Sequence, residues 1–124
     1  MTSPTREEVR DFLQEVKAII TARPGCTWEL VPRRENMDFV ADLGFNLSAV
    51  RDELLGLSVD DYGFGPIQDR DQPGDFWVFG KRIGGREAYI KLKVASFGGL
   101  KGSLKALRVV SFHEAEQPLP HPFS

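Results

Sequence analysis

Apolar positions recur at helical spacing over the first half of the chain and at every second position near its end, so the pattern divides the sequence before any motif is sought. Val9, Phe12, Leu13, Val16, Ile19 and Ile20 make one stripe of an amphipathic helix from about Pro4 to Ala22. Ser3 is its expected cap, proline suits the first helical position, and Glu7 and Glu8 favour the positive end of the dipole. The segment RPGC breaks this helix, and TWELV is a short strand candidate. A second helix is expected after Arg33, Arg34, Glu35 and Asn36, running through Met37, Phe39, Val40 and Leu43 to a stop at Gly44. A third carries Leu47, Val50, Leu54 and Leu55 between a cap at Asn46 or Ser48 and Gly56.

From Gly74 onward the period shortens to two. GDFWVFGKRI, EAYIKLKV and ALRVVSFHE read as three consecutive strands, with Gly84 and Gly85 forming a tight hairpin turn between the first two. The stretch SVDDYGFGPIQDRDQPGD reads as a loop with one short strand near Tyr62, SFGGLKGSLK as a longer hairpin loop, and EQPLPHPFS as an extended tail. On the middle strand Ile90, Leu92 and Val94 project to one face while Tyr89, Lys91 and Lys93 project together on the other. If the last strand pairs antiparallel with Val110 and Phe112 in the core, Ser111 and His113 join that polar face. The register expected on that basis sets Tyr89 opposite Ser111 and Glu87 opposite His113. Without a repeat or a long linker, residues 1–124 read as one α+β domain.

Charge changes this picture. The formal net charge is −2, yet residues 81–108 hold eight basic side chains against Glu87 alone, and residues 1–80 hold fifteen acidic against eight basic. A local positive field of that kind attracts polyanions, although lysines at hairpin edges also serve simply to prevent strand aggregation. No membrane-spanning run and no signal peptide are visible, and the single cysteine, Cys26, can make neither an intramolecular disulfide nor a zinc site alone. A cytoplasmic protein is expected.

Most catalytic templates are missing: no HExxH, CxxC, GxSxG, GxxxxGK[ST] or GxGxxG occurs. The aspartates Asp60, Asp61, Asp69, Asp71 and Asp75 match no EF-hand spacing and read as a solvated acidic loop, so no metal and no cofactor are expected. FGGLKG leads into a strand rather than a helix, which argues against a phosphate cradle. The polar sheet face remains. A histidine or carboxylate there can take a proton from a ribose 2′-hydroxyl, lysines can stabilise charge on the phosphate, and a tyrosine or protonated histidine can donate to the leaving oxygen.

The ordered strings LGLSVDDYGFGP, DFWVFGK, AYIKLKV and VVSFHEAE resemble the MqsR family of toxins from bacterial type II toxin–antitoxin modules, over roughly residues 40–116. The resemblance implies a RelE-like fold, a small twisted antiparallel sheet with the N-terminal helices packed on one side. It also implies a metal-independent mRNA endoribonuclease restrained by a cognate antitoxin protein, with ribosome association left open. Within it Tyr89 and Lys91 match the family's tyrosine and lysine, and His113 stands where the family has a functional lysine. Phe64 stands in place of another functional lysine and Val78 in place of a glutamine, and neither replacement can move a proton or bind phosphate. The catalytic set expected is Tyr89, Lys91 and His113, and the RNA-holding set Lys81, Arg82, Arg86, Lys93 and Arg108. The alternatives are a non-catalytic RNA- or protein-binding module using the same basic face, and a structural partner that functions only inside a complex.

Overall fold

The computed structural model describes residues 3–21, 26–97 and 104–124. Helix α1 (Arg6–Ile20) begins two residues later than the expected Pro4, because Thr5 rather than Ser3 caps it. Thr5 Oγ1 accepts from Glu8 N and the Glu8 carboxylate accepts from Thr5 N, a reciprocal capping box. The expected end at Ala22 and most of RPGC lie outside the described residues. Strand β1 (Cys26–Leu30) follows, then α2 (Arg34–Leu43) and α3 (Leu47–Leu55). Gly44 ends α2 at φ 69°, a left-handed conformation that favours glycine, and the Asn46 side chain caps α3 by accepting from Ala49 N at 2.8 Å.

A single 3₁₀ turn (Val59–Asp61) leads into β2 (Tyr62–Gln68), followed by β3 (Asp75–Ile83), β4 (Arg86–Phe97) and β5 (Leu104–Glu114). Strand β2 occupies much of what the composition marks as loop. Its glycines and Pro66 are accommodated because it is an edge strand whose pairing with β3 shifts register twice. Gly84 and Gly85 form the expected turn between β3 and β4, both at positive φ. Most of SFGGLKGSLK, including FGGLKG from Gly98 on, lies outside the described residues.

The sheet order is β1-β5-β4-β3-β2. It is mixed rather than wholly antiparallel: β1 runs parallel to β5, Trp28 pairing with Leu107 and Leu30 with Val109. Three helices pack on one face, where Val9, Leu13, Val16, Phe39, Val50 and Leu54 meet Phe79, Ile90, Leu92, Leu107, Val109 and Phe112 in one core. Full burial of each such large side chain contributes about 1.5–3 kcal/mol. No helix among the described residues is long and apolar enough to cross a membrane.

The β4–β5 register differs from expectation by two residues: Tyr89 pairs with His113 and Lys91 with Ser111. A bulge accounts for one of these two residues. Lys91 pairs with Ser111 but Leu92 pairs with Val109, so Val110 is the extra residue on β5, and Val109 rather than Val110 enters the core. Three successive apolar or small residues, Val109, Val110 and Ser111, satisfy either phase; only tertiary contact chooses between them. In this register Ala88 pairs with Glu114, so Glu87 is not placed opposite His113; on its other side Glu87 pairs with Arg82 of β3.

Candidate functional site

On the face away from the helices, two neighbouring cross-strand pairs of β4 and β5 converge. Tyr89 and His113 pair directly, with ring centroids 5.4 Å apart and planes 14° from parallel. Lys91 pairs with Ser111 one step along, and Phe64 of β2 approaches Tyr89 at 6.4 Å between ring centroids. These five residues line an open cavity of about 540 Å³, to which Arg33 and the segment Glu116–Pro120 also contribute. The whole proposed catalytic set, Tyr89, Lys91 and His113, thus lies in one pocket.

The local chemistry of each member is distinct. Burial pushes the Tyr89 phenol above its ordinary 10.0, so at neutral pH it holds its proton and can donate it. His113 Nδ1 donates to the Glu114 carbonyl at 3.1 Å, since a carbonyl only accepts; the neutral ring then presents the Nε2 lone pair. The Lys91 ammonium lies 4.2 Å from the centre of the Phe76 ring. Among the described residues it has no carboxylate partner, so its charge is available to an anion in the cavity. Ser111, only 3% exposed, stands beside it.

The other expected cations are dispersed. Lys93 shares the face of Lys91 but is 3% exposed and bonded to the Asp69 carboxylate at 2.6 Å. That pair also holds the Asp69 carboxyl below its usual range, through the Lys93 hydrogen bond first and the Asp71 N–H second. Lys81 projects to the helix face, where its Nζ meets the Glu53 carboxylate at 2.8 Å and the Glu53 carbonyl at 3.2 Å. Arg86 also lies on the helix side, bonded to Glu114 at 2.7 Å and stacked over Phe39 at 4.9 Å. Arg108 pairs with Glu29 at 3.0 Å, and Arg82 donates to the Gly85 carbonyl. None of these five lines the cavity. The positive excess of residues 81–108 is thus largely met by acids from elsewhere in the chain, and the face is less cationic than the sequence suggests.

Phe64 and Val78 fall differently. Phe64 walls the cavity, while Val78 is fully buried and pairs with Lys91 across β3 and β4. Among the described residues no three His, Cys, Asp or Glu side chains gather as metal ligands would.

Two contributors escape a sequence reading. Arg33, the cap position of α2, reaches the cavity rim and pairs with Glu35 at 3.5 Å; its only signal is a basic pair before a helix. Asn36 is fully buried and donates from Nδ2 to the carbonyls of Val31 and Val110 at 2.9 and 3.1 Å, while its Oδ1 accepts from Phe112 N at 2.8 Å. It thereby holds the bulge that directs Ser111 and His113 into the cavity. The chain matches no family profile, no curated protein and no solved structure.

Proposed function

We propose that this protein is the toxin of a type II toxin–antitoxin module, a RelE-like endoribonuclease that cleaves mRNA in the cytoplasm without a metal and is restrained by a cognate antitoxin protein. The observation that carries the reading is the convergence of Tyr89, Lys91 and His113 on one cavity, because these side chains hold every part needed for transesterification of RNA. His113 Nε2 takes the proton of a ribose 2′-hydroxyl, and the 2′-oxygen attacks the adjacent phosphorus. Lys91 offsets the charge that builds on the phosphate oxygens. Tyr89 gives its proton to the departing 5′-oxygen, leaving a 2′,3′-cyclic phosphate and a 5′-hydroxyl end. Water then restores the two protonation states.

The test is expression of the protein and of His113→Ala and Tyr89→Phe variants, with growth scored alongside cleavage of RNA by purified protein in excess chelator. Wild type arrests growth and cleaves; each variant stays folded by circular dichroism and loses about 10²–10⁴-fold in cleavage rate. Equal cleavage by wild type and both variants would sink this assignment.

A second reading, a non-catalytic binding module, is favoured by one observation: Phe64 contributes an apolar ring to the cavity wall beside Tyr89. On that reading RNA binds, depends on Lys91 and is never cleaved.

A further inference from the structure

The segment after β5 crosses the open face of the sheet instead of leaving it. Leu119 sits on Gly80, where a Cβ would come within 2.5 Å of Leu119 Cδ1, so the bare position on β3 is what admits this side chain. Glu87 Oε1 accepts from Leu119 N at 3.4 Å and meets His121 Nε2 at 3.3 Å. Farther along, the Phe123 ring stacks on Tyr62 at 5.4 Å between centroids, and its carbonyl accepts from Arg6 Nη1 at 2.8 Å. Fixed at these points and at the end of β5, where Ala115 N donates to the Glu87 carbonyl at 2.8 Å, the residues between stand as a wall of the cavity.

That wall brings two polar side chains that the sheet does not supply. Glu116 and Gln117 are both exposed, both line the cavity, and among the described residues neither side chain has a hydrogen-bond or ion-pair partner. A carboxylate accepts hydrogen bonds, and an amide both accepts and donates, so together they present the groups that read the edge of a nucleobase. In the same cavity the nearly parallel rings of Tyr89 and His113 offer a stacking surface that any base can use. A volume of about 540 Å³ is that of a single-ligand pocket, within the usual range of about 300–1,000 Å³.

We propose that Glu116 and Gln117 are specificity determinants, and that the pocket takes one unpaired nucleotide of single-stranded RNA. Its base lies against Tyr89 and His113, its phosphate toward Lys91, and its hydrogen-bonding edge toward the two wall residues. This rests on the RNA reading of the site. Because Glu116 supplies acceptors, bases with an exocyclic amino group are preferred over uracil.

Titration of the protein with the four nucleoside 3′-monophosphates and with inorganic phosphate, followed by amide chemical shifts, tests the proposal. At least one amino-bearing nucleotide binds about tenfold tighter than uridine 3′-monophosphate, and a Glu116→Ala, Gln117→Ala double variant reduces that ratio to about twofold or less. Its melting temperature remains that of wild type, because both side chains are exposed and unbonded, and inorganic phosphate binds it no more weakly, because the substitutions remove a negative charge from the cavity that holds Lys91. An unchanged ratio in the double variant, or no ratio in wild type, overturns the inference. If RNA cleavage still depends on Tyr89 and His113 in that case, the ribonuclease reading survives the failure; if no nucleotide binds and no RNA is cleaved, both fall.

Discussion

The Asn36 side chain of α2 ties off the extra residue of β5: it donates to the Val110 carbonyl at 3.1 Å and accepts from the next-but-one N–H, that of Phe112, at 2.8 Å. A bulge leaves backbone groups without ladder partners, and burial makes such orphans costly. The amide of one fully buried side chain meets both. Asn36→Ala therefore destabilises the protein by about 2–3 kcal/mol, chiefly through the unsatisfied Phe112 N–H. Urea unfolding measures the loss, and a change below half a kilocalorie would show that the bulge holds itself.

The two tyrosines of the chain both hold their protons more firmly than usual, because burial raises each phenol above 10.0. A folded-state value above the unfolded one contributes stability that is complete below pH 10 and is lost as pH climbs through the folded value. Absorbance at the tyrosinate band then rises at a higher pH in folded than in denatured protein. Tyr89→Phe removes one of the two late-titrating groups, and two ordinary phenol titrations in the wild type would refute the prediction.

Lys93 and Asp69 form a pair in which the lysine is 3% exposed. Removing only the carboxylate leaves a buried ammonium without its counter-charge, whereas replacing both ends relieves that cost. Asp69→Ala is accordingly expected to melt lower than the double variant Asp69→Ala, Lys93→Met. Since Asp69 titrates below its usual 3.8, the pair's contribution is present above that pH and disappears as pH falls through the lower folded value. Thermal melts from pH 2 to 7 report both effects; a double variant that melts below the single one would contradict this account.

Gly80 is a position where added bulk acts on the segment above the sheet rather than on the core. A Cβ there meets Leu119 Cδ1, His121 Cε1 and Glu87 Oε1, all far ends of side chains able to move. Gly80→Val should change global stability by about 1 kcal/mol or less while speeding hydrogen exchange at the Leu119 amide, which bonds to Glu87. Unaltered exchange at that amide would mean that Leu119 is held by something other than its seat on β3.

Where a sequence pattern is local, it predicts the structure well. The stripe from Val9 to Ile20, the stop at Gly44, the turn at Gly84 and Gly85, and the separation of Tyr89 and Lys91 from Ile90 and Leu92 all follow from spacing and from residue conformational preference. What the pattern leaves open is set by partners distant in the chain. The choice between Val109 and Val110 depends on Asn36, and the disposition of Lys81 and Lys93 depends on Glu53 and Asp69. The parallel seating of β1 depends on β5. A count of basic residues cannot see such pairings, which is why the face carries less free charge than the count implies. The juxtaposition of Tyr89 and His113 was legible as a shared face but not as a direct pair, since the register lies two residues from the expected one and a bulge shifts the pairing by one residue partway along the strands.

The parallel pairing of β1 with β5 also has a temporal meaning. Glu29 lies 79 positions before its ladder partner Arg108, to which it is also bonded through its carboxylate. Closing so long a loop is slow and entropically expensive compared with forming the neighbouring β3–β4 hairpin. During synthesis β1 emerges early yet has no strand to pair with until β5 follows. His113 and Ser111 arrive on that same strand. A growing chain thus keeps β1 unpaired, and leaves Tyr89 without its cross-strand partner His113, until β5 has left the ribosome.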